Sequence, residues 1–159
     1  LIRYYYETQD ETVLPLIVKL KNYMLLPVEQ GGVATTSPEG NLWIEEFPSH
    51  PASFVLNGFI SSTFGLFEYN KLFPDDKLAD RALHDSIESL RASIKHYDAG
   101  DWTYLDRRQK PYPKSNDAYT AGYVWQMQTL WLISKDPLFL RTSLRWASFF
   151  DDVNLKTDG

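Results

Sequence analysis

The feature that most constrains the fold of this chain is a recurring order of helix, short polar connection, helix and long loop. Each short connection carries an aspartate, at Asp10, Asp76 and Asp136, which gives an interval of about 60–65 residues. Units repeated in this way bury each other's apolar faces. Helical hairpins with their long loops on one rim predict an all-α protein, an incomplete α/α toroid whose site lies on that rim. An ordinary α-solenoid that binds other proteins is the alternative.

Apolar residues at intervals of three and four predict five helices. The helices are expected over residues 13–26, 53–70, 76–95, 119–133 and 137–150. Clusters of Gly and Pro predict long loops over 31–52, with room for a short strand pair, and over 97–118. We expect one domain over 1–152 and a flexible tail over 153–159. The opening LIRYYY looks like the end of an element that begins upstream, so a fragment is expected.

Composition excludes several functional classes. The formal net charge of −5 argues against nucleic-acid binding, which needs basic residues on the phosphates. No cysteine is present, so thiol catalysis and thiolate metal sites are excluded. The three histidines lack metal-ligand spacing, so neither a metal nor another cofactor is predicted. No apolar run reaches the length of a membrane span, and no signal peptide is visible. The aromatic content of 15% suits either a core or a carbohydrate cleft, where rings stack on sugars.

Several motifs in the long loops and the adjoining helix starts resemble those of the C-terminal domain of D-glucuronyl C5-epimerases. The SFVLNGF stretch at 53–59 is the most specific of them. The resemblance covers nearly the whole chain and is carried by WIEEFP at 43–48, PASFVLNGF at 51–59, YDAG at 97–100, TYLDR at 103–107, and Tyr119 with Gln126 and Gln128. It implies a helical toroid that holds an acidic polysaccharide and converts D-glucuronate to L-iduronate at C5 in a heparosan-like polymer.

The resemblance also implies which residues carry the chemistry. Of the three tyrosines that the family uses, the second and third fall on Tyr104 and Tyr119, and the first is Phe47 here. The two histidines that the family has after its third tyrosine correspond to Thr120 and Tyr123. The chain therefore departs from the family pattern at the site itself.

C5 epimerisation removes a weakly acidic proton next to a carboxylate, so it needs a cation for the carboxylate, a base and an acid. Tyr104 and Tyr119 are the predicted acid–base pair, and Glu46 is the base that compensates for the phenol missing at position 47. Arginine grips carboxylates with two parallel hydrogen bonds. The predicted substrate-binding residues are Arg107, Arg108, Asn57, Glu45, Phe47 and Trp43.

Three alternatives remain open from the sequence. A polysaccharide lyase shares the first proton abstraction, a glycoside hydrolase would use two carboxylates, and the change at Phe47 also suits a module that binds acidic polysaccharide without catalysis. A homodimer is left open as an assembly. The compartment is not determined, although a secretory-pathway lumen is implied if the protein is like the animal family members.

Overall fold

The computed structural model describes the backbone of residues 1–157 and the side chains of residues 1–150, and this part is mainly helical. The mainly helical class predicted from periodicity is thus confirmed. The helices are α1 (Ile2–Thr8), α2 (Leu14–Leu25), α3 (Leu56–Leu72), α4 (Lys77–Ser93), α5 (Asp117–Ser134) and α6 (Pro137–Thr157). The flexible tail predicted for 153–159 lies outside the fully described residues. The side chains of 153–157 are not described, and residues 158 and 159 are not described at all.

The two long connections contain little regular structure. Strands β1 (Ala34–Thr36) and β2 (Leu42–Ile44) form an antiparallel pair inside the first long loop, as the sequence suggested. Three short 3-10 segments lie at Glu11–Val13, Val28–Gln30 and Ile94–Tyr97. The second long loop runs from the last of these to the start of α5 and has only isolated bridges.

Helix α1 was not predicted from the sequence. It has only seven residues and no capping side chain at its N-terminus, so it lacks the local signals from which a helix start is read. Its stability comes from tertiary contacts. Arg3 forms an ion pair with Glu68 of α3 at 2.7 Å, and Ile2 and Tyr5 pack against a small cluster around Ile17.

The repeated aspartates cap the segments that follow them. Each accepts a hydrogen bond from the backbone N–H two residues later, as N-cap residues do. Two of them also bind a cation from the preceding helical pair: Lys21 Nζ lies 2.8 Å from Asp76, and Arg91 Nη2 lies 2.7 Å from Asp136. Lys21 is 6% exposed. The short connections are thus the places where successive helical pairs are tied together.

The core lies where α3, α5 and the loop hairpin meet. Helix α3 packs on α4, α5 packs on α6, and α3 and α5 contact each other. The largest fully buried side chains are aromatic and come from every part of the chain except its first helices: Trp43, Phe59, Tyr97, Tyr123, Phe139 and Trp146. Within residues 1–157, no helix has both the length and the apolar character that crossing a membrane requires.

Candidate active site

The two long loops lie against each other on one rim of the helices. The backbone N–H of Arg107 donates to the carbonyl of Ser53 at 3.0 Å. The Tyr97 hydroxyl donates to the carbonyl of Phe54 at 2.5 Å. These bonds bring the Glu45–Glu46 segment, the Tyr104–Arg108 segment and the start of α5 to the same rim. Every candidate residue named from the sequence is on these loops or in the first turns of α3 and α5.

Glu45 holds the first loop in shape. Its carboxylate is 3% exposed and accepts hydrogen bonds from the Ser53 hydroxyl at 2.5 Å and from the backbone N–H of Phe54 at 3.0 Å. Phe54 has a left-handed backbone conformation, with φ of 53°, which a bulky residue adopts only when its surroundings impose it. The Glu45 carboxylate is therefore fully occupied in fixing the loop. The same bonds explain why α3 begins at Leu56, three residues later than the periodicity predicts.

Glu46 has the opposite environment from its neighbour. It is exposed, and within residues 1–150 no hydrogen bond or ion pair involves its carboxylate. Its side chain lies directly over Gly58 in the first turn of α3, where an added Cβ would come within 2.7 Å of Glu46 Cβ and Oε2. A glycine at position 58 is what allows Glu46 to reach this place. The carboxylate is free to act on a ligand at the rim.

The phenol of Tyr123 is buried between α5 and the second long loop. Its hydroxyl donates to the carbonyl of Leu105 at 3.4 Å. Burial raises the pKa of Tyr123, and the charges of Tyr119, Glu46 and Asp106 raise it further. One turn along α5 the Gln126 amide nitrogen donates to the Asn57 carbonyl at 3.3 Å, so α5, which carries Tyr119, adjoins the start of α3, over which Glu46 lies.

The two candidate tyrosines differ in setting. Tyr119 is 42% exposed in the first turn of α5, which Asn116 caps by accepting the Tyr119 N–H at 3.0 Å. Tyr104 is half-buried and packs edge-on against Tyr112, with ring centroids 5.5 Å apart. Neither hydroxyl forms a hydrogen bond to another described residue. Both phenols therefore keep their hydrogen-bonding capacity for a ligand.

Arg107 is a buried cation with spare donors. Its side chain is 8% exposed and Nη2 lies 2.8 Å from Glu39 Oε1, while Nε and Nη1 have no partner among the described residues. Burial opposes ionisation of Glu39, but hydrogen bonds from Arg107 and Ser93 outweigh it and lower the pKa of Glu39. Arg107 thus remains charged with two N–H groups unpaired. Arg108 is exposed and its Nη2 lies 3.3 Å from Ser49 Oγ.

Two buried amide oxygens add unpaired acceptors near the start of α3. They belong to Asn57 and Gln126, and neither has a hydrogen-bond partner in the described part of the chain. The Gln126 amide nitrogen donates to the backbone carbonyl of Asn57 at 3.3 Å, so Gln126 contacts the start of α3. Buried polar groups of this kind usually have partners.

The structure separates the two aromatic residues proposed as sugar contacts. Trp43 is fully buried and stacks on Phe59 with ring centroids 4.1 Å apart, so it belongs to the core and supports the loop from below. Phe47 is 59% exposed and can meet a ligand. Large aromatic residues are more often core than surface, and the run of buried residues at 43–45 followed by exposed residues at 46 and 47 has no period by which the sequence could distinguish Trp43 from Phe47.

Three residues around the site were not proposed as functional from sequence. Glu39 lies in the turn of the β-hairpin, and only its ion pair with Arg107, 68 residues away, connects it with the site. Tyr123 and Gln126 were noted for the resemblance but given no role. Their positions one turn apart on α5, both buried, are the signal that could have indicated them. Among the described residues, no group of three or more His, Asp or Glu could hold a metal ion.

Gly58→Ala is expected to reduce activity at this site more than it reduces stability. The new Cβ would require the Glu46 segment to shift, and a displacement of about 1 Å in a reacting group costs up to about 100-fold in rate. Gly65→Ala in the same helix is the matched control, because its added Cβ meets only Met24 at 4.0 Å. Rate and unfolding midpoint measured for both variants check this. Equal rates in the two variants would contradict the placement of Glu46.

The structure defines a mainly helical protein whose two long loops and adjoining helix starts carry an exposed carboxylate, two phenols and a buried guanidinium. The chain matches the D-glucuronyl C5-epimerase C-terminus family over residues 1–148, and it belongs to that family.

Two curated relatives extend this comparison. An uncharacterized protein of Methanocaldococcus jannaschii is 30% identical over 148 residues, which cover 89% of this chain and 46% of that protein. The D-glucuronyl C5-epimerase of Caenorhabditis elegans is 27% identical over 164 aligned residues, which cover 94% of this chain and 26% of that enzyme. The chain thus spans less than half the length of either relative.

Proposed function

We propose that this chain forms part of an enzyme that epimerises D-glucuronate to L-iduronate at C5 within a heparosan-like polysaccharide. The observation that carries the proposal is that the start of α3, over which the Glu46 side chain lies, is hydrogen-bonded to α5, which carries Tyr119: Gln126 Nε2 donates to the Asn57 carbonyl at 3.3 Å. Within the described residues, neither the Glu46 carboxylate nor the Tyr119 hydroxyl has a hydrogen bond or ion pair. Membership of the epimerase C-terminus family supports the reaction class. The helical pairs would then form an arc of an incomplete α/α toroid.

The reaction requires two proton transfers at one carbon. A base takes the C5 proton, the electron pair is delocalised into the adjacent carboxylate, and an acid returns a proton to the opposite face of the ring. Glu46 is the proposed base because its carboxylate is free at the rim. Tyr119 and Tyr104 are the proposed acid–base partners, since each keeps a free hydroxyl. Together these groups replace the phenol that Phe47 does not supply.

Arg107 is the proposed partner of the reacting carboxylate. Negative charge builds up on that carboxylate when the C5 proton leaves, so the positive charge of a fixed, buried guanidinium near it would stabilise the transition state. Glu39 holds Arg107 in place through its ion pair. Arg108, Asn57 and the exposed ring of Phe47 are proposed to contact neighbouring sugars, while Glu45 and Trp43 would act indirectly by fixing the loop.

The test is deuterium exchange at C5. The protein in its full natural length is incubated with unsulfated heparosan in D2O, and the sugar is followed by proton NMR. We expect loss of the C5 proton signal of glucuronate and growth of iduronate signals. Tyr104→Phe and Tyr119→Phe should each lower the rate by about 100-fold or more. Binding of the polymer without any change in the glucuronate C5 proton signal or in the iduronate signals would contradict the proposal.

One observation favours a second candidate, a module that binds acidic polysaccharide without altering it. Phe47, 59% exposed, offers a ring for sugar stacking where the family resemblance places a phenol. Binding of heparosan without exchange would support this alternative. An unsaturated product absorbing in the ultraviolet would instead indicate a lyase, whose first step is the same proton abstraction.

A further inference from the structure

Three buried hydroxyl groups form a closed triangle beside the candidate site. The side-chain oxygens of Thr103 and Ser115 are 2.5 Å apart, those of Ser115 and Thr120 are 2.7 Å apart, and those of Thr103 and Thr120 are 2.9 Å apart. Thr103 and Thr120 are fully buried, and Ser115 is 7% exposed. Nothing in the proposed epimerisation uses these three hydroxyls.

The three hydroxyls supply every donor and acceptor that the three hydrogen bonds of the triangle need. Each hydroxyl has one proton to donate and lone pairs to accept, so three hydroxyls around a ring can each donate once and accept once. All three contacts are then satisfied, and hydrogen bonds arranged in such a chain strengthen one another. Removing any one hydroxyl opens the ring and leaves a buried donor or acceptor without a partner.

The triangle joins the segments that carry the two candidate phenols. Thr103 directly precedes Tyr104, and Thr120 directly follows Tyr119 in the first turn of α5. Ser115 connects them from the end of the second long loop, and its backbone N–H donates to the Thr103 carbonyl at 2.9 Å. Each of the two tyrosines is thus the direct sequence neighbour of one threonine of the hydroxyl triangle.

The loop around Tyr104 is fixed on its other side as well. The backbone N–H of Tyr104 donates to the Tyr97 carbonyl at 2.8 Å, and that of Leu105 donates to the Pro113 carbonyl at 2.8 Å. The indole N–H of Trp102 donates to the Ser115 carbonyl at 2.8 Å. With the loop held in this way, the remaining freedom is its position relative to α5. The hydroxyl triangle spans this gap, together with the hydrogen bond from the Tyr123 hydroxyl of α5 to the Leu105 carbonyl.

We propose that Thr103, Ser115 and Thr120 are positioning residues, whose hydroxyl triangle sets the separation between the Tyr104 and Tyr119 phenols. The catalytic meaning of this inference rests on the proposed function, in which both phenols are positioned against the sugar ring from which Glu46 takes the C5 proton. The triangle itself touches no substrate. It acts through the two backbone segments, which leave Tyr104 and Tyr119 no independent movement.

Thr120→Val tests the inference because valine keeps the shape and removes the hydroxyl. We expect kcat for C5 exchange to fall about 10–100-fold with a smaller change in KM, as for a displaced catalytic group. Thr120→Ser restores the hydroxyl and should restore most of the rate. Thr63→Val is the matched control: it removes another fully buried threonine hydroxyl, which donates to the Phe59 carbonyl within α3 at 3.0 Å. It should leave kcat unchanged.

A second measurement does not depend on activity. The protein is labelled with 3-fluorotyrosine, and the fluorine signals of Tyr104 and Tyr119 are assigned from the two Tyr→Phe variants. We expect Thr120→Val to shift or broaden both signals, and Thr63→Val to leave both unchanged. Unchanged Tyr104 and Tyr119 signals in Thr120→Val would overturn the inference. Responsive signals in a protein without C5 exchange would support the positioning role and refute the proposed function instead.

Discussion

Glu46→Gln is expected to lower the rate of C5 exchange by about 10²–10⁴-fold, which is the range contributed by a general base. Glutamine keeps the size of the side chain but cannot accept the proton. Because the Glu46 carboxylate forms no hydrogen bond or ion pair within the described residues, the free energy of unfolding should stay within about 0.5 kcal/mol of that of the unsubstituted protein. Deuterium exchange by NMR and urea unfolding measure the two quantities.

The preceding residue supplies the control. Glu45→Gln changes an adjacent carboxylate in the same way, but this one accepts three hydrogen bonds from Ser53 and Phe54 at distances of 2.5–3.2 Å. Hydrogen bonds to a charged group are worth about 1.5–3 kcal/mol each, so we expect a clear loss of stability from Glu45→Gln. A large rate loss in both variants, or in neither, would contradict the separation of roles between these two glutamates.

Asp76→Asn is expected to cost about 2–4 kcal/mol of unfolding free energy. Asparagine is as good an N-cap as aspartate, so the cap of α4 should survive. What is lost is the negative charge 2.8 Å from the ammonium of Lys21, a side chain that is 6% exposed. Breaking a buried ion pair from one side leaves an uncompensated charge, and this is the main cost. Urea unfolding followed by tryptophan fluorescence measures it.

The same ion pair predicts how stability responds to acid. The hydrogen bond from Lys21, with that from the Ala79 N–H, lowers the pKa of Asp76 to about 2. A depressed carboxyl pKa gives stability that is present above the unfolded-state pKa of about 4 and is lost as the pH falls through about 2. The difference in unfolding free energy between the unsubstituted protein and Asp76→Asn should therefore be constant from pH 7 to 5 and shrink below pH 4.

Two further variants separate the ion pair from general charge effects. Lys21→Met in the Asp76→Asn background removes the unpaired ammonium and should recover part of the loss. Asp85→Asn removes a carboxylate whose side chain is 47% exposed and which lies 3.6 Å from Arg81, so it should change stability by less than about 1 kcal/mol. Similar losses from Asp76→Asn and Asp85→Asn would contradict a stabilising role for the buried Lys21–Asp76 pair.

The helices were predictable because their signals are local. Apolar spacing and the capping aspartates at positions 10, 76 and 136 lie within the segments they define, and five helices were found from them. Helix α1 lacks such a start signal, since it has no capping side chain at its N-terminus, and it is held by Arg3 and by packing. The start of α3 was placed too early because the carboxylate of Glu45, eleven residues before it in sequence, engages the backbone of Ser53 and Phe54.

The site was predictable in its residue types but less in their roles. The resemblance indicated Tyr104 and Tyr119, and the chemistry of proton abstraction indicated Glu46; the catalytic roles of all three stay predictions. The sequence could not indicate that Trp43 is buried or that Glu39 pairs with Arg107, because both features depend on contacts between segments about 15–70 residues apart. Long-range pairs leave no periodic pattern in a single sequence. For the same reason the three hydroxyls around Thr120 became visible only in the fold.

The hydrogen bond between Glu45 and Ser53 closes the base of an arch formed by residues 46–52. Both ends of the arch are buried, and most residues between them are exposed. The residues of such an arch can be replaced without disturbing the fold, because a loop tied at its base accepts changes in sequence and length at small entropic cost. Evolution, or an engineer, could exchange residues 47–52 as a unit while the helices and the closing hydrogen bond stay as they are.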